Sequence, residues 1–93
     1  MNMAELIALA TIRSGKSKGE IARDMGHQHQ SRMSRLAAGA SEPLASEIVF
    51  LAELADLPPV KTLAEIEANN HPEFAQVWAK TLKRVREHAT EKL

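Results

Sequence analysis

Residues 30 to 35 of this chain carry polar and basic side chains that can hydrogen-bond to the edges of nucleic-acid bases. Glutamine can pair through two bonds with adenine and arginine with guanine, and the segment offers Gln30 and Arg35 for these pairings. Met33 and Leu36 lie between and beside them at the i, i+3 spacing of a helix with one buried face. If that face points inward, the outward positions are Gln30, Ser31, Arg32, Ser34 and Arg35.

The surrounding sequence predicts two short helices joined by a tight turn, which would hold this polar surface in place. Ser17 followed three positions later by Glu20 is a capping box, which predicts the start of the first helix. Gly26 suits the left-handed position that follows a helix. The second helix is predicted from about residue 29 to residue 38, with Gly39 as its stop.

Four further helices complete an all-α chain. Alanine and leucine are frequent and aromatic residues make up only 3% of the sequence, which favours helix over sheet. The predicted ranges are about 3–14, 45–56, 59–68 and 72–89, and proline stands at the start of the last two. In the last helix one apolar stripe is formed by Phe74, Val77, Trp78, Leu82 and Val85. The inward residues predicted for the others include Leu6, Ile7, Ala10, Ile12, Ile48, Leu51, Ala52, Ala55, Val60, Leu63, Ala64 and Ile66.

The pattern from residue 17 to residue 43 resembles the lambda-repressor-like helix-turn-helix family, also called the Cro or XRE type. The matching residues are Ile21, Ala22, Met25, Gly26, Met33, Leu36, Gly39 and Pro43. The resemblance covers roughly residues 3–57 in layout. It implies a five-helix DNA-binding domain over residues 1–68, with the motif at about 17–38, and leaves residues 69–93 as an additional C-terminal amphipathic helix for packing or dimerisation.

The turn departs from the family pattern by one residue. His27 follows Gly26, where the family usually has an apolar residue, and Met33 comes seven positions after the glycine instead of six. Aligned on Met33 and Leu36, the resemblance implies that bases are read by Gln30, Ser31, Arg35 and Arg32. It implies phosphate contacts for Lys18, Gly19, Gln28, His29, Ser34 and Ser41.

The charge pattern allows a nucleic-acid partner although the formal net charge is zero. Residues 1–40 carry six Lys/Arg against three acids (+3), residues 41–70 one against six (−5), and residues 71–93 five against three (+2). A neutral protein with this distribution can still present a basic face to phosphate. The acids of the middle segment are predicted to lie mostly on exposed, solvated faces of two helices: Glu42, Glu47, Glu53, Asp56, Glu65 and Glu67.

Several classes of protein are disfavoured by what the sequence lacks. It has no cysteine, which excludes disulfides and thiolate metal sites. His27 and His29 are two residues apart with no acid pair nearby, a poor spacing for zinc, so we expect no metal and no cofactor. No catalytic motif is present, so we do not expect an enzyme. No apolar run at the N-terminus is long enough for a signal peptide or a membrane span, which predicts a cytoplasmic protein without a membrane partner.

The main hypothesis is therefore a sequence-specific transcriptional regulator, of the type found as repressors in phages and mobile elements. We expect a homodimer on double-stranded DNA that binds a partly palindromic operator and occludes a promoter, with the stripe of the last helix as the dimer surface. One alternative is the antitoxin of a toxin–antitoxin pair, which would add a toxin-binding surface formed by residues 41–70 and the last helix. Another is a helical bundle that binds no nucleic acid.

Overall fold

A computed structural model describes residues 1–27 and 30–91, the last five of these by backbone alone. All regular structure in these ranges is helical, so the all-α prediction is confirmed. The helices are α1 (Met3–Ser14), α2 (Lys18–Asp24), α3 (Ser31–Ala38), α4 (Ala45–Leu54), α5 (Pro59–Asn70) and α6 (Ala75–Glu91), with a 3-10 turn at Pro72–Phe74 before α6.

Local signals account for the helix ends around α2 and α3. The amide of Glu20 donates to Ser17 Oγ at 3.2 Å, and the Glu20 carboxylate accepts from the Ser17 amide at 3.4 Å, so the predicted capping box is present. Gly26 and Gly39 have φ values of +88° and +75°. Side chains larger than hydrogen are strained at such angles, which explains why glycine follows each of these helices.

The core is built from the first five helices. α1 packs against α3 and α4, and α4 packs against α5. The buried core cluster extends along the chain from Met3 to Ile66 and includes Leu6, Ile7, Ile21, Ala22, Met33, Leu36, Ile48 and Leu51. α6 packs mainly on α5, beyond that cluster. The radius of gyration is accordingly 14.1 Å, against about 12 Å for a compact chain of this length.

The observed elements differ from the predicted ones in a few places. α3 begins at Ser31, two residues later than predicted, because Gln30 (φ −72°, ψ −4°) belongs to the turn as the N-cap residue. Val60 was predicted to face inward, but it lies in the first turn of α5 and is 50% exposed. Ile12 is also exposed. α5 buries Thr62 together with the predicted Ala64 and Ile66.

Candidate nucleic-acid interface

The outer face of α3 presents the polar residues on which the DNA hypothesis depends. Met33 and Leu36 are 0% and 1% exposed, so the predicted inward face of this helix is confirmed. Ser31, Ser34 and Arg35 are exposed on the opposite side, and Gln30 is exposed at the entry to the helix. Within the described part of the chain, the Arg35 guanidinium has no hydrogen-bond or ion-pair partner. Its donors are therefore available to a ligand.

The start of α2 lies beside the entry to α3. A Cβ atom built on Gly19 would lie 3.6 Å from the side-chain oxygen of Gln30. Lys18 is exposed and Gly19 is partly exposed at the first two positions of α2. The structure thus brings Gln30, a predicted base-reading residue, close to the predicted phosphate-binding residues Lys18 and Gly19. In the sequence, Gln30 comes more than ten positions after them.

The loop after α3 uses its own amides to close that helix. The carbonyl oxygen of Arg35 accepts from the Ala40 amide at 2.9 Å and from the Ser41 amide at 3.4 Å. Because the Ser41 amide already donates to Arg35, its hydroxyl is the group that remains for a phosphate contact. The residue itself is partly buried. Two other residues predicted to contact phosphate, Gln28 and His29, lie outside the described residues.

Arg32 is engaged within the protein, unlike the other polar residues of α3. Its Nη2 lies 2.7 Å from Glu47 Oε1 and its Nε lies 3.1 Å from Glu47 Oε2, a bidentate ion pair between α3 and α4. Nη2 also donates to the backbone carbonyl of Glu42 at 3.2 Å. The Arg32 side chain is only 23% exposed. The sequence predicted that the Arg32 guanidinium would be free to contact bases. The structure shows that it is already hydrogen-bonded to Glu47 and to the Glu42 carbonyl.

Glu47 is a buried acidic residue whose burial the sequence did not predict. It was grouped with the solvated acids, whereas it is 5% exposed and lies in the interface between α4 and the rest of the domain. The exposed positions of Glu42, Glu53 and Asp56 agree with that prediction, and Glu65 and Glu67 are partly exposed. A signal was present, because Glu47 stands four residues before Leu51 and hence on the buried stripe of α4.

The hydrogen bonds around Glu47 keep its carboxyl group ionised. Burial alone would raise the pKa of this group, but the bonds from Arg32, from the Leu44 amide (2.8 Å) and from His27 outweigh burial. The net result is a Glu47 pKa below its ordinary value. The same hydrogen bond raises the pKa of the Arg32 guanidinium. The pair is therefore fully charged at neutral pH.

The side chain of His27, the residue after Gly26, points toward the protein. Its Nε2 lies 3.1 Å from Glu47 Oε2, and its side chain is 28% exposed. His27 therefore belongs to the same cluster around the Glu47 carboxylate as Arg32. In the described part of the chain no group of three potential ligands is placed to hold a metal ion.

A second ionic contact joins the loop after α3 to the end of α5. His71 Nε2 is hydrogen-bonded to the Glu42 carboxylate, and His71 Nδ1 lies 3.6 Å from Glu73. The hydrogen bond that the imidazole donates to the Glu42 carboxylate is the main reason why the pKa of His71 is raised. This contact borders an open groove of about 450 Å³, lined by the start of α1, residues 36–43 and residues 69–71.

No family model, curated protein or solved structure matches this chain. None of the helices that the structure describes combines the length and the apolar character needed to cross a bilayer.

The apolar stripe of α6 divides into a covered part and an open part. Ala75, Trp78 and Leu82 are partly buried, and their spacing of three and four places them on the side that packs against α5. Phe74, in the 3-10 turn just before α6, is 54% exposed, and Val77 and Val85 are 58% and 50% exposed. The sequence had assigned all five large residues to one dimer surface, whereas the structure leaves these last three open.

Proposed function

We propose that this protein is a sequence-specific DNA-binding transcriptional regulator of the lambda-repressor-like type, and that it acts as a repressor of phage or mobile-element origin. The observation that carries the proposal is the arrangement of α3, whose buried Met33 and Leu36 hold Gln30 and Arg35 outward. A short helix anchored on one face and polar on the other is what a recognition helix needs to enter the major groove.

The roles of the individual residues follow from their surroundings. Gln30 and Arg35 read base edges, because both are exposed and can form two parallel hydrogen bonds. Ser31 and Ser34 have short side chains, which allow the helix to approach bases and phosphates closely. Lys18 and Gly19 lie beside Gln30 and bind the phosphate backbone.

Arg32 supports the helix in place of reading a base. A bidentate contact with a base contributes about 1–3 kcal/mol of discrimination. Removing one partner of a buried ion pair costs about 3–5 kcal/mol, and the Glu47 carboxylate is buried. Since the cost is larger than the gain, Arg32 stays with Glu47 when DNA binds.

Selection of binding sites from random double-stranded DNA with the purified protein tests this function. We expect enrichment of a site with two related halves whose centres lie about 34 Å apart. We also expect affinity to fall as salt concentration rises, because phosphate contacts release counterions. A chain that enriches no sequence and shows no salt-dependent affinity would be a helical bundle with another role.

The open stripe of α6 supports a homodimer in this proposal. Thr81 lies between Val77 and Val85, and its hydroxyl donates to the Val77 carbonyl at 2.8 Å, so that it leaves its methyl group for packing. Charge favours an antiparallel pair of α6 helices, because Glu73 near the start would face the Lys83 and Arg84 region of the other copy. A parallel pair would instead bring the basic ends together.

Val77→Glu is expected to convert a dimer into a monomer, because it places a charge in the centre of the proposed contact. Sedimentation equilibrium of the wild-type chain and the variant measures the change. Gln76→Glu is the matched control, since it adds the same charge one position away on an exposed part of α6 and should leave the dimer intact. A dimer that survives Val77→Glu would place the interface elsewhere. A monomeric wild-type chain would instead favour a different protein as the occupant of the stripe, as the antitoxin alternative predicts.

A further inference from the structure

The carboxylate of Glu47 receives hydrogen bonds from both ends of the segment that leads into α3. His27 lies at the beginning of that segment and Arg32 at its end, and both side chains contact Glu47 within 3.1 Å. The Leu44 amide adds a fourth bond at 2.8 Å. Glu47 is thereby joined to the turn, to the first part of α3 and to the start of its own helix.

The start of α3 has no side-chain cap of its own to fix its position. Gln30, at the N-cap position of α3, makes no side-chain hydrogen bond to the amides of that helix. The local sequence therefore lacks the usual device that defines where a helix begins.

We propose that Glu47 is a positioning residue for DNA recognition, which holds His27 and Arg32 and so determines where Gln30 is presented. The proposal rests on the proposed function. Glu47 has no direct contact with DNA in this view, because its side chain is buried behind α3. Its influence passes through Arg32, which also bonds to the Glu42 carbonyl in the loop after α3.

The bidentate geometry explains why charge, and not only shape, matters at position 47. Two parallel N–H···O bonds between a guanidinium and a carboxylate fix both distance and orientation. Glu47→Gln keeps the size of the side chain but removes the charge, so one Arg32 donor would face an amide NH₂ group. Arg32 then loses its preference for the buried position and becomes free to contact phosphate.

The first test compares specific with non-specific DNA binding for Glu47→Gln at a temperature where circular dichroism shows the variant folded. We expect specific affinity to fall by roughly 2- to 30-fold, the range for residues that act through coupling. Non-specific affinity should be kept or increased. The slope of log K against log salt concentration should steepen by the amount expected for about one additional phosphate contact. Glu53→Gln, the same change on the exposed side of α4, should alter neither affinity. An unchanged ratio of specific to non-specific affinity in Glu47→Gln would show that Glu47 is only structural.

The second test is a double-mutant cycle with Arg32→Met. If Glu47 acts through Arg32, the double variant should bind the selected site about as well as either single variant. Additive losses would overturn the proposal, because they would mean that Glu47 and Arg32 affect DNA binding independently of each other.

Hydrogen exchange in the DNA-free protein separates this proposal from the proposed function. We expect Glu47→Gln to accelerate exchange of the hydrogen-bonded amides of α3, residues 34–38, more than those of α1. Unchanged exchange there would overturn the positioning role even if the wild-type chain selects a DNA sequence. Faster exchange in the variant, together with a wild-type chain that selects no DNA sequence, would give a different result. It would support the contact between Glu47 and α3 but overturn the DNA-binding function.

Discussion

Leu36→Ala is expected to lower the free energy of unfolding by about 2–5 kcal/mol, since it leaves a cavity in a packed core. Leu36 is 1% exposed and belongs to the core cluster formed by α1 to α5. Domains of this kind have total stabilities of about 5–15 kcal/mol, so the change removes a large share of the total. Urea denaturation followed by circular dichroism gives the difference directly.

Leu44→Ala is the matched control for this measurement. Leu44 is 60% exposed at the start of α4, and the same chemical change there should alter stability by no more than about 0.5 kcal/mol. Equal effects at the two positions would contradict the burial of the inner face of α3. The outward presentation of Gln30 and Arg35 would then lose its support as well.

Arg35→Ala is expected to weaken binding to the selected operator by roughly 5- to 150-fold, which corresponds to about 1–3 kcal/mol for a bidentate base contact. The fold should be unaffected, because the Arg35 side chain is exposed and has no partner within the described residues. Gel shifts or fluorescence anisotropy with the operator and with an unrelated duplex provide both affinities. Tolerance for other bases should increase at one position in each half-site.

Arg23→Ala removes the same charge from an exposed position of α2 and serves as the control for Arg35→Ala. A lost phosphate contact weakens binding to all sequences about equally. It also reduces the slope of log K against log salt concentration by about one. We therefore expect Arg23→Ala to leave the ratio of specific to non-specific affinity unchanged. If Arg35→Ala behaves in the same way, Arg35 contacts the backbone and base reading must be assigned to other residues.

Much of the helical framework could be predicted from the sequence because the signals involved are local. The capping box of Ser17 and Glu20 joins residues three positions apart, and the left-handed conformation of Gly26 and Gly39 follows from the lack of a side chain. The burial of Met33 and Leu36 follows from the helical repeat. Each of these depends on neighbours within about one turn of helix, so the order of residues is sufficient to determine them.

The tertiary structure decided which polar side chains are paired within the protein and which apolar side chains stay exposed. Arg32 and Glu47 are fifteen positions apart, and no repeat in the sequence shows that a carboxylate of α4 will lie within reach of α3. The division of the α6 stripe depends on how that helix lies on α5, which in turn leaves Phe74, Val77 and Val85 open. Periodicity determines which side of a helix is apolar, but the partner of each side chain depends on helices that are distant in the chain. That is why the sequence alone determined the helices and the inner face of α3, and only the packed structure separated the free Arg35 from the engaged Arg32.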